Sequence, residues 1–416
     1  MKKRTLTVVL AVLLAWIMTS CAQAPAEAPP TETPVSAESA DSAAESASAE
    51  EPEPEEPQPV TATLAVVGDI MSHLPLTNDT WNDAAQRYDF GRVFAAAVPY
   101  LSQADYAVGN FETTTAGGPN YSGYPAFNAP DALAQDIASA GVDLVLTSNN
   151  HCLDKRMPGL CRTLDVLDEV GLAHVGTSRT QEEHDNNISV ADIGGISVAF
   201  LGYTYGTNGI PLPKDAPYAV NLFNTDYLTS LSTPDTDRLI SDLSAAKALD
   251  TDLVVVMIHW GTEYRTKQNS YQETIAQLLL DNGADIVLGG HSHVPQPVEY
   301  RTVTEPDGTT REGFVCYSLG NFISAQNDPL TDTTAILTLE LTKDPITGET
   351  VVTNWRYQPM LMLDRESGPC RFELLDVYRS LEDGNIDAGL AEKLHGAVEN
   401  CHAIWGAEHD AGAAVP

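Results

Sequence analysis

Short apolar segments recur along the chain from about residue 60, each followed by a cluster of Gly, Asn, His or Asp and then by a segment with helical spacing. The apolar segments lie at 64–67, 106–108, 144–146, 198–201, 253–258 and 286–288. The spacing predicts helices at 92–102, 131–140, 160–170, 235–248 and 271–282. This alternation is typical of an α/β domain with a largely buried sheet.

Three later segments are predicted to be strands without helices between them, at 314–319, 335–341 and 351–358. Consecutive strands joined by short loops favour an antiparallel portion of sheet. The residues from 366 to 416 have the pattern of a helical tail. We therefore expect the folded domain to extend over residues 60–365.

Residues 1–20 are predicted to be a lipoprotein signal peptide. A charged start is followed by an apolar run from 6 to 18 and by small residues before Cys21, as in secretory signals. The residues MTSC resemble a bacterial lipobox, in which the cysteine is lipidated. We expect an extracytoplasmic protein anchored to the cell membrane through Cys21. A signal cut near Ala22 or Ala24, without a lipid, is the alternative.

The amino-acid composition distinguishes a linker from the folded part, and the net charge limits which classes of partner are expected. Residues 21–59 consist mostly of Ala, Pro, Glu, Ser and Thr, and we expect a disordered linker because such a segment has too little apolar surface to bury. The whole chain has 58 acidic and 22 basic residues, a net charge of −36. This charge argues against nucleic acid as a partner and favours cations.

Five cysteines follow Cys21, at positions 152, 161, 316, 370 and 401. In an exported chain, disulfides between Cys152 and Cys161 and between Cys370 and Cys401 are conceivable, with Cys316 buried in a strand. Spacing alone does not decide the connectivity.

Polar clusters follow five of the predicted strands, at the ends where open α/β sheets bind ligands. They have the sequences GDIMSH (68–73), GNFE (109–112), SNNHCLD (148–154), HWGTE (259–263) and GHSH (290–293). One histidine or aspartate in such a place is more often structural, but the recurrence favours a common site. In an extended strand the two histidines of His-x-His would lie on opposite sides. The glycines before them and Pro295 after them permit a turn.

Carboxylates, an amide oxygen and imidazoles without thiolates suit divalent ions such as Mn²⁺, Mg²⁺, Fe²⁺ or Zn²⁺. Glu112 could bridge two ions, since a carboxylate has one oxygen for each. Two such ions would polarise an electrophile and activate a water molecule. Tyr203, Tyr205 and Asn208, in the sequence GYTYGTNG, form either a lid over this site or a Gly-rich turn.

The ordered motifs GDIM, GNFE, SNNHCLDKRMPG, HWGTE, GGHSHVPQ and YSLGNF resemble those of the CapA family. These are poly-γ-glutamate capsule synthesis proteins and are similar to calcineurin-like metallophosphoesterases. The resemblance covers about residues 60–325. It implies a four-layer α/β/β/α sandwich, two mixed sheets flanked by helices, with a site for two divalent ions at one edge.

Carried over position by position, the resemblance implies the metal ligands Asp69, Glu112, Asn150, His259, His291 and His293. Phosphoesterases usually have a histidine where this chain has Met71, so His73 is a further candidate ligand. His151 is expected to protonate a leaving group, with Asp154 and Glu263 positioning its surroundings.

Basic residues beside the motifs, Lys155, Arg156 and Arg265, are candidate substrate-binding groups, or else ordinary solvated surface. Asn321, in the sequence SLGNF, is expected to hydrogen-bond into the site and is assigned to substrate binding. A domain of strongly negative net charge should repel a polyanion, so binding of such a polymer would depend on the metal ions and these local bases.

The expected function is that of a membrane-anchored CapA-type protein acting in synthesis, export or trimming of poly-γ-glutamate or a related anionic polymer. Membrane subunits of a synthesis complex are conceivable partners. One alternative is an extracellular metal-dependent phosphoesterase acting on a small phosphorylated substrate. Another is a non-catalytic polymer-binding assembly subunit.

Overall fold

The computed structural model describes residues 57–365 and 370–412. The predicted signal peptide, Cys21 and nearly all of the linker lie outside the described residues, so their predictions are not tested by it. Among the residues described, no helix combines the length and the apolar character needed to cross a membrane.

The strands of these residues are β1 (Val60–Ile70), β2 (Trp81–Asn82), β3 (Arg87–Tyr88), β4 (Tyr106–Phe111), β5 (Leu144–Leu146), β6 (Ala173–Val175), β7 (Ser189–Ile193), β8 (Ile196–Thr204), β9 (Leu253–His259), β10 (Ile286–Gly290), β11 (Pro295–Thr304), β12 (Thr310–Leu319), β13 (Asn321–Ile323), β14 (Thr333–Lys343), β15 (Thr350–Asp364) and β16 (Phe372–Asp376). The helices are α1 (Leu74–Asp79), α2 (Val98–Leu101), α3 (Ala132–Ser139), α4 (Arg156–Val170), α5 (Gln181–Asp185), α6 (Thr236–Lys247), α7 (Ser270–Asp281), α8 (Val377–Glu382) and α9 (Ala388–Trp405). A short 3₁₀ helix follows at Ala407–His409.

Two large mixed sheets form the centre of the fold. The first has the strand order β16-β15-β14-β1-β4-β5-β6, and β13 also pairs with β1. In it, β1, β4, β5 and β6 are parallel, whereas β14, β15 and β16 are antiparallel to their neighbours. The second has the order β11-β12-β10-β9-β8-β7, parallel except for its two outer strands.

The central strands are apolar along their length because both of their faces are buried. In β1, Leu64 and Val66 point into the core between the two sheets, whereas Ala65 and Val67 point into the core under the helices. This is the alternation of side chains that a strand imposes, and strands buried on both faces have continuous apolar sequences. The short apolar segments of the sequence are explained in this way.

Helices cover the outer face of each sheet. Leu133 of α3 and Leu164 of α4 pack against the first sheet, and Leu243 of α6 and Ile275 of α7 pack against the second. The layers are therefore helices, sheet, sheet and helices. The predicted four-layer α/β/β/α sandwich is confirmed.

Three local features differ from the expectations. The helix predicted at 92–102 is only Val98–Leu101, because Pro99 has no N–H and is tolerated only in the first turn of a helix. The segment after 366 contains α8 and α9 but also β16, which extends the first sheet beside β15. The five described cysteines are free thiols. The conceivable disulfides are absent because Cys401 packs between the sheets while Cys370 contacts Arg92.

Gly68, near the end of β1, allows the backbone of Gly320 to approach β1 closely. Replacement of Gly68 should therefore lower the stability of the protein. A Cβ at Gly68 would lie 1.9 Å from the carbonyl oxygen of Gly320. We expect Gly68→Ala to lower the free energy of unfolding by more than about 2 kcal/mol, because backbone cannot yield as a flexible side chain would. Urea denaturation measures this.

The matched control is Gly396→Ala in α9, where an added Cβ would meet nothing within 4 Å. It should leave stability unchanged or raise it by up to about 1 kcal/mol, because alanine is the better helix former. An unfolding midpoint of Gly68→Ala equal to that of the wild type would contradict the prediction.

Candidate metal centre

The carboxyl ends of parallel strands from both sheets meet at one edge of the sandwich. Asp69 lies at the end of β1, Glu112 directly follows β4, and His259 is the last residue of β9. His291 and His293 follow β10. All five side chains are buried, three of them completely. The sequence had placed these residues far apart in the chain, and the sheet topology brings them together.

Glu112 belongs to two groups of potential metal ligands. Atoms of Asp69, Glu112 and His259 lie within 4.8 Å of one another, and so do atoms of Glu112, His291 and His293. The carboxylate of Glu112 is therefore shared by both groups.

The two histidines of His-x-His lie in the same cluster because the backbone turns between them. His291 has a φ of 94° and His293 a φ of 59°, values that residues with a Cβ rarely adopt. Their ring centroids are 5.9 Å apart. Backbone strain of this kind occurs where the surrounding structure holds a functional group in place.

Asn150 adds an oxygen to the cluster. Its Oδ1 lies 3.0 Å from His259 Nε2, and the same nitrogen lies 3.5 Å from Glu112 Oε1.

Glu112 Oε1 and His291 Nδ1 are buried and have no hydrogen-bond partner. Buried polar atoms are rarely left in this state. A divalent cation would satisfy both atoms, so the residues present fit a metal ion.

Burial governs the protonation of the cluster. It raises the pKa of Glu112 well above its ordinary value, and the neighbouring charges of Asp69, Glu263 and Asp154 add to the effect. Burial also lowers the pKa values of His259 and His291 well below the ordinary value. Without a cation, the site therefore favours a protonated Glu112 and neutral imidazoles of His259 and His291. A bound divalent ion would reverse the preference of Glu112.

Two asparagines fix the carboxylates and were missed as site residues. Asn110 Nδ2 donates to Asp69 Oδ1 at 2.7 Å and lies 3.1 Å from His259 Nδ1. Asn149 Nδ2 donates to Asn110 Oδ1 at 3.2 Å. Both residues lie inside the motifs GNFE and SNNH, so their place beside the ligands was a usable signal.

Aromatic rings surround the cluster. The ring of Tyr205 lies 4.6 Å from that of His291 and stacks at 6.2 Å on that of His259, so Tyr205 packs on the site. Tyr264, which the sequence reasoning missed, lies 5.9 Å from His293 and has a φ of 62°. Its position directly after HWGTE was the signal. These rings limit the access of water to the imidazoles.

His151 is oriented by Asp154. Its Nδ1 lies 2.8 Å from Asp154 Oδ2, which also accepts a hydrogen bond from the backbone N–H of Phe127. His151 Nε2 is 3.5 Å from the side-chain amide of Asn208. Asn208 also accepts from Asn150 and is exposed. The second nitrogen of His151 therefore faces the open side of the site.

Other predicted residues lie around the cluster rather than in it. His73 Nδ1 accepts from the backbone N–H of Ala325 at 3.3 Å, and burial, with the charges of His293 and His151, lowers its pKa to about 4. His73 is in neither ligand group. Glu263 is exposed and acts on Glu112 through its charge.

The predicted substrate-binding residues divide into two kinds. Arg156 and Arg265 are exposed and Lys155 is half-buried. No ion pair of these three side chains occurs within residues 57–365 and 370–412. Asn321, in contrast, is completely buried, and its Oδ1 lies 3.0 Å from His293 Nδ1. It contacts a candidate ligand and does not reach the surface.

The fold and the site define the class of this protein as an α/β/β/α sandwich of two mixed sheets with a buried carboxylate–imidazole cluster at one edge. Residues 63–326 match the family model described as the bacterial capsule synthesis protein PGA_cap, and the chain belongs to that family. It is 30% identical over 285 residues to the capsule biosynthesis protein CapA of Bacillus anthracis, covering 67% of this chain and 64% of that protein, just under two thirds of the relative's own length.

A second relative is the PGA biosynthesis protein CapA of Bacillus subtilis (strain 168), 27% identical over 332 residues, with 79% of each chain covered. Among solved structures, a novel phosphatase of Mycoplasma pneumoniae aligns with a TM-score of 0.39 at 16% identity, covering 73% of this chain and 95% of that one. A second structure, that of the protein TT1561 of Thermus thermophilus, aligns with a TM-score of 0.35 at 10% identity, covering 66% and 93%.

Burial of the Glu112 carboxyl group should lower the free energy of unfolding when no cation is present. We expect Glu112→Gln to raise the free energy of unfolding of the EDTA-treated protein at pH 7 by about 1–3 kcal/mol, because a buried carboxyl group with one unpartnered oxygen is replaced by a neutral amide. Because the folded-state pKa of Glu112 is raised, wild-type stability is lost as the pH rises above the ordinary value of 4.5 and through the folded-state pKa. The gain should therefore grow between pH 5 and pH 8.

Glu340→Gln is the control, because Glu340 is exposed on β14 and its replacement should be neutral at every pH. Urea denaturation in EDTA measures both variants. If Glu112→Gln proved less stable than the wild type under these conditions, the electrostatic account of the site would be wrong.

Proposed function

We propose that the protein acts in the synthesis, export or trimming of poly-γ-glutamate or a related anionic surface polymer. It does so outside the cytoplasm, anchored through a lipidated Cys21, and through a divalent-metal centre. The observation that carries the proposal is the buried Glu112 carboxylate, shared by two histidine-containing groups and left with an unpartnered oxygen.

The names of two relatives support poly-γ-glutamate or a related capsule polymer as the polymer concerned. The Bacillus anthracis relative is a capsule biosynthesis protein and the Bacillus subtilis relative a PGA biosynthesis protein. The motifs that form the ligand cluster all lie within the matched region 63–326. The lipobox-like MTSC supports attachment to a membrane on the side where a surface polymer is assembled.

The residues that would hold the metal are Asp69, Glu112, Asn150, His259, His291 and His293, and Glu112 belongs to both groups of potential ligands. Bound divalent ions would supply Lewis-acid catalysis and lower the pKa of a water molecule. The chain itself contributes His151, whose Nδ1 is held by Asp154 and whose Nε2 faces the open side. From there Nε2 can donate a proton to a leaving group, and the Asp154 carboxylate stabilises the charged imidazolium that does so.

Local bases would offset the overall repulsion between an acidic protein and an anionic polymer. Lys155 and Arg156 directly follow the His151–Asp154 segment, and Arg265 follows Tyr264 beside the site. Because these side chains form no ion pair with described residues, they can pair with the carboxylates of the polymer. We therefore assign them to substrate binding.

The test begins with the metal content of the full-length protein purified in detergent. We expect the wild type to bind Mn²⁺ or Zn²⁺ and His291→Ala to lose at least about tenfold in metal affinity, because a ligand is removed. His395→Ala, at an exposed position of α9, is the control and should bind metal as the wild type does. Elemental analysis and calorimetry measure these effects.

Activity assays distinguish the proposed action on the polymer from the phosphoesterase and the non-catalytic alternatives. Incubated with Mn²⁺, the wild type should shorten poly-γ-glutamate, as measured by size-exclusion chromatography, whereas His291→Ala should not. Hydrolysis of aryl phosphates without any change in the polymer would instead indicate a phosphoesterase. A wild type without bound metal would favour the non-catalytic assembly subunit.

Replacement of His151 should separate proton transfer from metal binding. We expect His151→Ala to lower the rate of polymer shortening by about 100-fold or more, the usual effect of losing a general acid. Its metal content should remain that of the wild type, because the Asp69 and Glu112 groups are intact. A variant of normal rate would refute the role of His151.

A further inference from the structure

Asn321 has a place in the fold that its sequence context does not suggest. Strand β13 pairs in parallel with β1, and Asn321 is the partner of Asp69 in that pairing. Its side chain is completely buried. It is therefore held beside a candidate ligand and does not reach the surface.

The amide group of Asn321 can adopt only one orientation. Its Nδ2 has three oxygens within hydrogen-bonding distance for its two hydrogens: Ser324 Oγ at 3.1 Å, Gln326 Oε1 at 2.7 Å and the backbone carbonyl oxygen of Thr331 at 3.2 Å. A backbone carbonyl can only accept a hydrogen bond. The side of the amide that faces Thr331 must therefore be the NH₂ group, and Oδ1 faces His293.

The orientation of Asn321 determines which nitrogen of His293 carries the proton. His293 Nδ1 has two oxygens near it, Asn321 Oδ1 at 3.0 Å and Asp69 Oδ2 at 3.5 Å. Both are acceptors, so Nδ1 must be the donor. A neutral imidazole protonated on Nδ1 has its lone pair on Nε2, and Nε2 is then the atom free to bind an ion.

We propose that Asn321 is a positioning residue of the metal centre, which holds the buried His293 ring in the Nδ1–H form and so presents Nε2 to a divalent ion. This inference rests on the metal centre proposed above. It replaces substrate binding as the role of Asn321. His293 is held at this place in a left-handed backbone conformation, with a φ of 59°.

The first experiment measures the tautomer of His293 in the metal-free, full-length protein in detergent. Imidazole ¹⁵N spectra in EDTA distinguish Nδ1–H from Nε2–H, and the signals of His293 are identified by their loss in His293→Gln. We expect Nδ1–H in the wild type. Asn321→Leu, of similar shape but without an acceptor, and Asn321→Ala should both shift His293 towards Nε2–H. Asn321→Asp, which keeps an acceptor oxygen, should retain Nδ1–H.

The second experiment measures Mn²⁺ affinity by calorimetry on the same variants. Loss of a hydrogen bond to a metal-binding histidine typically lowers affinity 10- to 100-fold, and we expect this range for Asn321→Leu and a smaller loss for Asn321→Asp. Asn128→Ala is the control. Asn128 is also buried and has its amide bound to backbone carbonyls of Gly117 and Asn120, with no bond to a histidine, so its affinity should remain that of the wild type.

The outcomes separate this inference from the proposed function. A wild-type His293 protonated on Nε2, or an Asn321→Leu variant with unchanged tautomer and unchanged Mn²⁺ affinity, overturns the role of Asn321 and leaves the metal centre standing. A wild type that binds no divalent ion overturns the metal centre and this role together.

Discussion

The structure around the candidate site depends on one electrostatic constraint, the burial of the Glu112 carboxylate. The charges that act on it most strongly are those of Asp69, Glu263 and Asp154, which are all negative. The histidines beside it are themselves driven towards the neutral form by burial. A carboxylate in such surroundings is costly to keep ionised. A divalent cation is the group that would offset this cost, and the unpartnered atoms of Glu112 and His291 mark where it would bind.

The fold creates this constraint through its topology. Parallel strands of both sheets direct their carboxyl ends to one edge, so that Asp69, Glu112, His259 and the His291–His293 turn come from separate layers of the sandwich. Asn110 and Asn321 then lock the side chains through hydrogen bonds that exhaust their own amide groups. The positions of Asp69 and His293 are thus each set by a buried asparagine.

The proposed action of an acidic protein on an anionic polymer would require positive charge at the place of contact. Metal ions in the buried cluster and the three basic side chains around it would provide that charge locally. The acidic remainder of the surface would then disfavour adsorption of the polymer elsewhere. Polymer recognition would in this way be confined to the edge of the sandwich.

Much of this arrangement follows from the sequence alone. The apolar segments predicted the strands, and the polar clusters after them predicted a common site, because strand burial and ligand chemistry are local properties of residue type. The sandwich and the individual candidate ligands were implied by the resemblance of the motifs to those of the CapA family. Only the tertiary structure decided that His73 bonds to Ala325, outside the ligand groups, that Pro99 shortens α2, and that residues 372–376 form a sheet strand. It alone decided that Asn321 faces His293 and that Asn110 bridges Asp69 and His259. These features depend on the pairing of segments that are distant in sequence. The spacing of residues along the chain does not specify which backbone carbonyl or side chain will lie opposite a given atom.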